Sequence, residues 1–337
     1  MRKLPAPACV RNVEFKPLEP KKARTFPLKS LSRLVRRADL AKPLSAGASL
    51  REFFDTLPRV LAAADLRELA RRIATARRRG RIFLLMSGAH PIKVGLGPLL
   101  CDLMQRGVIS AVATNGAAII HDFEMALEGR TSEDVGEGLA EGRFGMASET
   151  GTFLNRCARL AAEERKGLGE VVGREIEAAR LKFRATSLFA QAYRLGLPAT
   201  VHVTLGADII HMHPDCDGAA VGRATMLDFH RLAAVVARLS GGVVVNLGST
   251  VVMPEVFLKA LNLARNLGRR VENFSAADMD FIRHYRPRVN VVERPTGDKG
   301  ARFFLTGHHE IMLPLLAGAV CEEMARADRN RARRRRR

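Results

Sequence analysis

Apolar positions along the chain fall into two alternating patterns. RIFLLM (81–86) is an unbroken apolar run, and SGAHP turns from it into a helical-period stretch, IKVGLGPLLCDLMQRG. VISAVAT (108–114) is a second such run, followed by the helical pattern NGAAIIHDFEMALEG. Short apolar runs bounded by turn residues read as strands buried on both faces, and a 3.6-residue period reads as a helix. Residues from about 130 to 195 are helical in pattern. Strand-like segments return at ATVHVT (199–204), GGVVVNL (241–247), RRVENF (269–274) and RVNVVE (288–293), separated by the helical LDFHRLAAVVARL and PEVFLKALNLARNL. The alternation predicts an α/β fold, a doubly wound parallel sheet covered by helices on both faces. Upstream, Ser45 or Ser49 is placed to cap a helix through Phe53, Leu57, Val60, Leu66, Leu69 and Ile73 to Arg79, where Gly80 breaks it.

Charge changes this picture only at the ends. The net charge is +20, but residues 1–40 carry eleven Lys/Arg against three acids and residues 326–337 carry eight Arg against Asp328. Subtracting +8 and +7 leaves +5 for the body, an ordinary globular surface. The expected organisation is a basic N-terminal arm (1–45), an α/β domain (46–325) and a disordered Arg-rich tail (326–337) able to touch nucleic acid or anionic lipid weakly. The absence of Trp and the presence of only two Tyr supply no stacking platform for single strands. No apolar run reaches the length of a transmembrane span, and the N-terminus has no apolar signal core. Cysteines 9, 101, 157, 216 and 321 form no CxxC pair, which suits a reducing, cytoplasmic setting without disulfides or a zinc framework.

Candidate chemistry gathers where the strands end. Ligands of doubly wound sheets bind outside the carboxyl ends of strands. Those ends carry Ser87-Gly88-Ala89-His90, then Thr114-Asn115-Gly116 with His121-Asp122, then LGADIIHMHPDCDG with Asp208, His211 and His213. Gly248-Ser249-Thr250 and the RPTGDKGAR loop with Asp298 and Gly300 follow, and TGHHE, with His308 and His309, opens the last helix. None of these is a GxGxxG or phosphate-loop signature. Five histidines, His121, His211, His213, His308 and His309, are candidate acid/base groups. His121-Asp122 is the first pair to test. His211 and His213, two apart on a strand, would point the same way and with His308 could frame a metal, although no HExxH spacing completes such a site and no metal is assigned.

In order along residues 80–325, several segments resemble the deoxyhypusine synthase family. These are ATNGAAIIHD (113–122), SLFAQAYRLGLPATV (187–201), GSTVVMPEVFLKALNLAR (248–265), NVVERPTGDKGAR (290–302) and MLPLLAGAV (312–320). The resemblance implies a Rossmann-like NAD-binding fold, a homotetramer and a small-molecule substrate of amine or polyamine type. It puts Thr114, Asn115, Gly116, Gly248, Ser249, Asp298 and Gly300 on the cofactor side, with Asp208 near a family aspartate; the strand-end positions themselves add Ser87, His90 and Thr250 to that side and offer His121, Asp122, His211, His213 and His308 as the catalytic groups. It also implies a departure. Met253 stands where that family carries its imine-forming lysine, and a thioether forms no Schiff base. Lys259 lies six residues further on, and the family's paired glutamates become Ile120 and His121. Deoxyhypusine synthesis is therefore not expected. The expectation is an NAD-dependent enzyme acting on another small molecule by group transfer or oxidation. Its competitors are a non-catalytic cofactor-binding oligomer with basic tails, and a metal-assisted enzyme built on the histidines.

Overall fold

The computed structural model describes residues 16–335. They divide into two units, one ending at Leu40 and one beginning at Ala41. In the first, residues 16–40 are almost wholly exposed and hold three single 3-10 turns, Pro20–Lys22, Leu28–Ser30 and Arg37–Asp39. Residues 1–15 of the expected basic arm lie outside the described residues.

The second unit opens with the predicted helical stretch, broken in two. Helix α1 (Leu50–Thr56) is capped by Ser49, whose Oγ accepts from Glu52 N while Glu52 accepts from Ser49 N at 2.7 Å. Pro58 then forces Leu57 into extended backbone, since the residue before proline clashes in the helical region. Helix α2 (Leu61–Arg78) resumes the pattern and buries Leu66, Leu69, Ala70 and Ile73.

Six strands form one parallel sheet: β1 (Phe83–Ser87), β2 (Ala111–Asn115), β3 (Ala199–His202), β4 (Val243–Leu247), β5 (Ser275–Asp280) and β6 (Ala301–Thr306). Their order is β3-β2-β1-β4-β5-β6. Alternation along the strands separates two cores. Phe83, Leu85, Val112, Val245 and Ala277 belong to the core that takes in α2 and the last helix, α13 (His309–Arg335). Leu84, Met86, Ala111, Ala113, Val244 and Ala276 face α10 (Gly218–Val236) and α11 (Val252–Asn266). The remaining helices fill the connections: α3 (His90–Lys93) and α4 (Gly97–Gln105) after β1, then α5 (Gly116–Glu128), α6 (Val135–Ala140), α7 (Ser148–Glu163), α8 (Leu168–Ala178) and α9 (Leu188–Arg194) after β2, and the single turn α12 (Arg294–Thr296) before β6.

Three expectations need correction. RRVENF is not a strand; the fifth strand is the next segment, SAADMD, whose small residues and two aspartates conceal a run buried at all six positions. RVNVVE is not a strand either, because Pro287 opens a wide helical turn, Pro287–Glu293, that buries Val289, Val291 and Val292. The sixth strand is instead ARFFLT. Finally, α13 continues through Arg335, so the segment from 326 onward is helical that far rather than a disordered tail. Arginine is a good helix former, and Leu313, Leu316 and Val320 anchor the start of this helix in the core. Residues 336 and 337 lie outside the described residues. Among the described residues, no helix is long and apolar enough to cross a membrane.

Candidate functional site

The chain winds outward from β1 to β2 and β3, then returns past β1 to lay β4, β5 and β6 on its other side. The reversal lies between β1 and β4, and the crevice rule points to the turns at their carboxyl ends. These turns knit closely. Gly88 N donates to Leu247 O at 3.4 Å and Gly248 N to Met279 O at 3.1 Å. A Cβ on Gly88 would sit 3.1 Å from Gly248 O. Gly248 has φ +67°, and a Cβ there would sit 2.3 Å from Cε1 of His309. A Cβ on Gly116 would sit 2.0 Å from Asp208 Oδ2. Each of these glycines is required by protein packing as well as by any ligand.

The polar groups around the reversal are the more telling feature. Asn115 precedes the first residue of α5 and makes no side-chain cap. Asp208, delivered from the loop after β3, lies over that first turn, and burial raises its carboxyl to about 6. Asn246 on β4 donates to Asp278 Oδ1 on β5 at 2.9 Å and to Ser249 O at 2.9 Å. Burial, more than any other cause, raises Asp278 to about 6. His309, the first residue of α13, is 1% exposed; its Nε2 lies 3.2 Å from Met279 O and 3.8 Å from Asp280 Oδ1. Its ring meets that of His90 edge-on at 5.4 Å. Among the described residues nine buried side-chain nitrogen or oxygen atoms lack a hydrogen-bond partner, and five of them lie at this edge: Asn115 Oδ1, Asp208 Oδ2, His211 Nε2, Asn246 Oδ1 and His309 Nδ1. Buried polar atoms are ordinarily satisfied, and the concentration of unsatisfied ones sets this edge apart from the rest of the sheet.

Several predicted residues do other work. Asp122 does not pair with His121. It is fully buried and turned the opposite way, accepting from Ser187 Oγ at 2.5 Å and from Leu188 N at 2.7 Å, which satisfies the first turn of α9. Burial raises it to about 6, against those bonds. His211 and His213 lie in and after a 3-10 turn, Ile209–Met212, not on a strand. His211 Nδ1 accepts from the amides of Gly206 and Asp208, both at 3.2 Å, whereas His213 Nε2 bonds Gly145 O at 2.8 Å under α7. His308 is exposed and stacks on Phe281. Among the described residues no group of three or more His, Cys, Asp or Glu is close enough to hold a metal ion, so the histidines do not build that centre. Ser249 Oγ accepts from Met253 N at 3.2 Å, a cap for α11, and Thr250 beside it is half-buried. Ser87 and Thr114 are buried strand residues at the edge.

Asp298 and Gly300 are not brought to this edge. They precede β6, at the amino ends of the strands, where a Cβ on Gly300 would meet Phe274 O. The loop that does follow β5 begins Phe281-Ile282-Arg283-His284, beside Asp278. Met253 is completely buried, and Lys259 turns outward to pair with Glu255.

His121 keeps a chemical setting, with a different partner. Its Nδ1 lies 2.7 Å from Thr131 Oγ1, which in turn donates to Glu124. A hydroxyl has one proton, so with Glu124 ionised the imidazole donates through Nδ1 and keeps a lone pair on Nε2. Burial, helped by the charge of Lys93, lowers His121 to about 4, leaving it neutral at pH 7. A cavity of about 590 Å³ opens beside Thr131 and Glu124, and its lining also carries Glu128, Glu133 and Glu149 against one cation, Arg130. Another, of about 660 Å³, lies at the amino ends of β1 and β3, away from these groups.

No known family's sequence pattern and no curated protein matches the chain. Solved structures do. A candidate LOR/SDH protein from Methanococcus maripaludis S2 is 15% identical, with a TM-score of 0.51 over 80% of this chain and 71% of that one. The ternary complex of AgrE with ornithine and NAD+ is 13% identical, with a TM-score of 0.51 over 80% of this chain and 35% of that one. A candidate deoxyhypusine synthase from Entamoeba histolytica is 12% identical, with a TM-score of 0.47 over 81% and 93%. The likeness is one of fold. This chain spans about a third of AgrE's length. The sequence-level signals of the site are partial: an asparagine inside VVVNL and two aspartates in SAADMD announce polar groups on buried strands, but a polar residue within a short run reads first as an interruption of it.

Proposed function

We propose that this chain is an NAD-dependent enzyme acting on a small amine-type molecule, without a covalent imine on lysine. The observation that carries the reading is the set of unpartnered polar atoms at the point where the strand order reverses. Three of them, on Asn115, Asp208 and Asn246, are oxygens that accept hydrogen bonds, which suits the ribose hydroxyls of a dinucleotide better than its phosphates. In sheets of this order an acid at the end of β2 holds the adenosine ribose. Here β2 ends in Asn115, and the acid at that place is Asp208 from the next loop. Bound NAD would supply a hydride acceptor. The chain's own residues would hold its hydroxyls at Asp208 and Asn115, and receive a substrate proton at Nε2 of His121. The four glutamates of the neighbouring cavity offer a cationic substrate its counter-charge.

The test is binding. NADH binding can be followed by its own emission. NAD+ or NADH is expected to raise the melting temperature, by an amount equivalent to ~2.7 kcal/mol at a hundredfold excess over Kd. Asp208→Asn is expected to weaken NADH about tenfold, since an acceptor of ribose hydroxyls becomes in part a donor, while the ligand-free melting temperature is kept. A protein whose melting is indifferent to NAD+, NADH and NADP+ alike would end this reading.

A further inference from the structure

The hollow of about 660 Å³ at the amino ends of β1 and β3 takes its walls from α8, α9 and α10. A second hollow, of about 490 Å³, lies between α10 and α11. Ala234 and Arg238 line both, so the two adjoin across one ridge of α10. That ridge is low, because Ala234 and Ala237 give it only methyl groups. Among the described residues that line the two hollows, Glu170 is the one acid, and it already pairs with Arg231 and Lys166. The side chains of Arg238 and Tyr193 are exposed and make no ion pair or hydrogen bond with any described residue. The negative end of the α10 dipole favours a cation just past its last turn, which accounts for the charge of Arg238. It does not account for a guanidinium that stands in the wall of two mostly apolar hollows with no acid to meet it.

We propose that the α10 ridge carries a binding site for a small amphipathic carboxylate, its anion held by Arg238 and its apolar body laid against Tyr193, Leu197, Pro198 and Val235. Small-molecule sites combine an apolar wall with a few polar groups that fix orientation, and the first hollow has both. The guanidinium fork matches a carboxylate in two parallel hydrogen bonds, so this anion is preferred to a halide or a lone hydroxyl. Gly169, whose amide donates to Asp228 on α10 at 3.0 Å, lines the same hollow, so an occupant braces the joint between α8 and α10. The site lies at the opposite edge of the sheet from the reversal turns and does not depend on the dinucleotide reading.

The experiment is calorimetric titration of the full chain with four probes. Naphthalene-2-carboxylate and octanoate supply a flat and a flexible body, acetate supplies the charge without a body, and naphthalene-2-methanol a body without the charge. At least one of the two larger carboxylates is expected to bind once per chain, with acetate and the alcohol weaker by tenfold or more. Arg238→Gln is expected to weaken that carboxylate about ten- to a hundredfold, the worth of a charge-assisted pair. Arg79→Gln, which removes an exposed arginine outside both hollows, is expected to change nothing. Failure of both larger carboxylates to bind overturns the proposal, whether the hollows are too shallow or a second copy of the chain covers them. Equal binding of the neutral alcohol, unchanged affinity in Arg238→Gln, or an equal loss in Arg79→Gln also overturns it. Should Arg238→Gln fold poorly, ¹³C-tyrosine spectra of the wild type decide, because the chain has two tyrosines, Tyr193 and Tyr285. A carboxylate-induced shift of the Tyr193 ring signal with Tyr285 unmoved supports the site, and an unmoved Tyr193 refutes it.

Discussion

Asp228 offers the sharpest test of the packing that supports the site. It lies on α10 with no exposure, and its Oδ2 accepts from Gly169 N at 3.0 Å and Val201 N at 2.9 Å, tying α8 to β3. Its Oδ1 has no partner, and a Cβ on Gly167 would come within 1.9 Å of it, so no water fits between. Burial, opposed by the two amides, raises the carboxyl from 3.8 to about 7. The folded state therefore holds this proton more tightly than the unfolded chain. The contribution to stability is full below pH 4 and is lost as pH rises through 7. A rise of about three pH units corresponds to about 4 kcal/mol. The substitution Asp228→Asn would keep an oxygen for both amides and remove the charge. The assay is urea unfolding of wild type and Asp228→Asn between pH 4.5 and 8, read by circular dichroism. Subtracting the two curves matters, because Asp122, Asp208 and Asp278, each raised to about 6, slope the same way, whereas burial pulls His121 to about 4 and His202 to about 3, which slopes oppositely. The variant should gain on the wild type by about 3 kcal/mol across this range, the rest of the effect lying below pH 4.5. Parallel curves would refute the reasoning, since they would mean that the carboxylate is charged and satisfied in the folded protein.

Two other perturbations probe placements that sequence reading left open. Met253→Lys should cost about 3–5 kcal/mol of stability, as an unpaired ammonium in a fully buried place, and a thermal melt equal to wild type would show that the position is not sealed. Asp122→Ala should cost about 2–4 kcal/mol because it strips Ser187 and the Leu188 amide of their acceptor, and a fall in activity with no fall in urea midpoint would return Asp122 to catalysis.

The sheet was readable where strands are apolar on both faces. FLLMS, AVATN and VVVNL sit within the predicted runs, as β1, β2 and β4 or their borders, because a parallel strand under two helix layers must be Val/Leu-rich throughout. It failed at β5, where Asp278 and Asp280 are buried beside Asn246 and His309, for the reason that makes the segment interesting: charged residues are placed on a central strand only with partners to meet them. The valines of 289–292 misled for the opposite cause. They are buried by a helical turn that Pro287 opens, and apolar content alone does not separate a buried strand from a buried turn. That misplacement carried Asp298 and Gly300 to the wrong edge. For the histidines, periodicity on an assumed strand put His211 and His213 together. The 3-10 turn separates them, and backbone groups at two different loops claim each ring.

What the departures have in common is that they fall on one half of the chemistry. The acceptors that the proposed reading gives to a dinucleotide, on Asn115, Asp208 and Asn246, are buried and have no hydrogen-bond partner. The position that would hold a substrate covalently is a buried thioether, and the nearest lysine along α11 is committed to Glu255 on the outer side. An imine cannot form at sulfur, so on the proposed reading the substrate is never tethered. It must instead be oriented by charge and lose its proton to a neutral base while bound. His121 meets that demand: burial keeps its Nε2 lone pair free at neutral pH, and the Thr131–Glu124 chain fixes which nitrogen is bare. On the proposed reading, a thioether in place of a lysine would shift the burden from a covalent bond to the geometry of one imidazole and a glutamate-lined cavity, and the expected chemistry is simple oxidation or direct transfer rather than a carried intermediate.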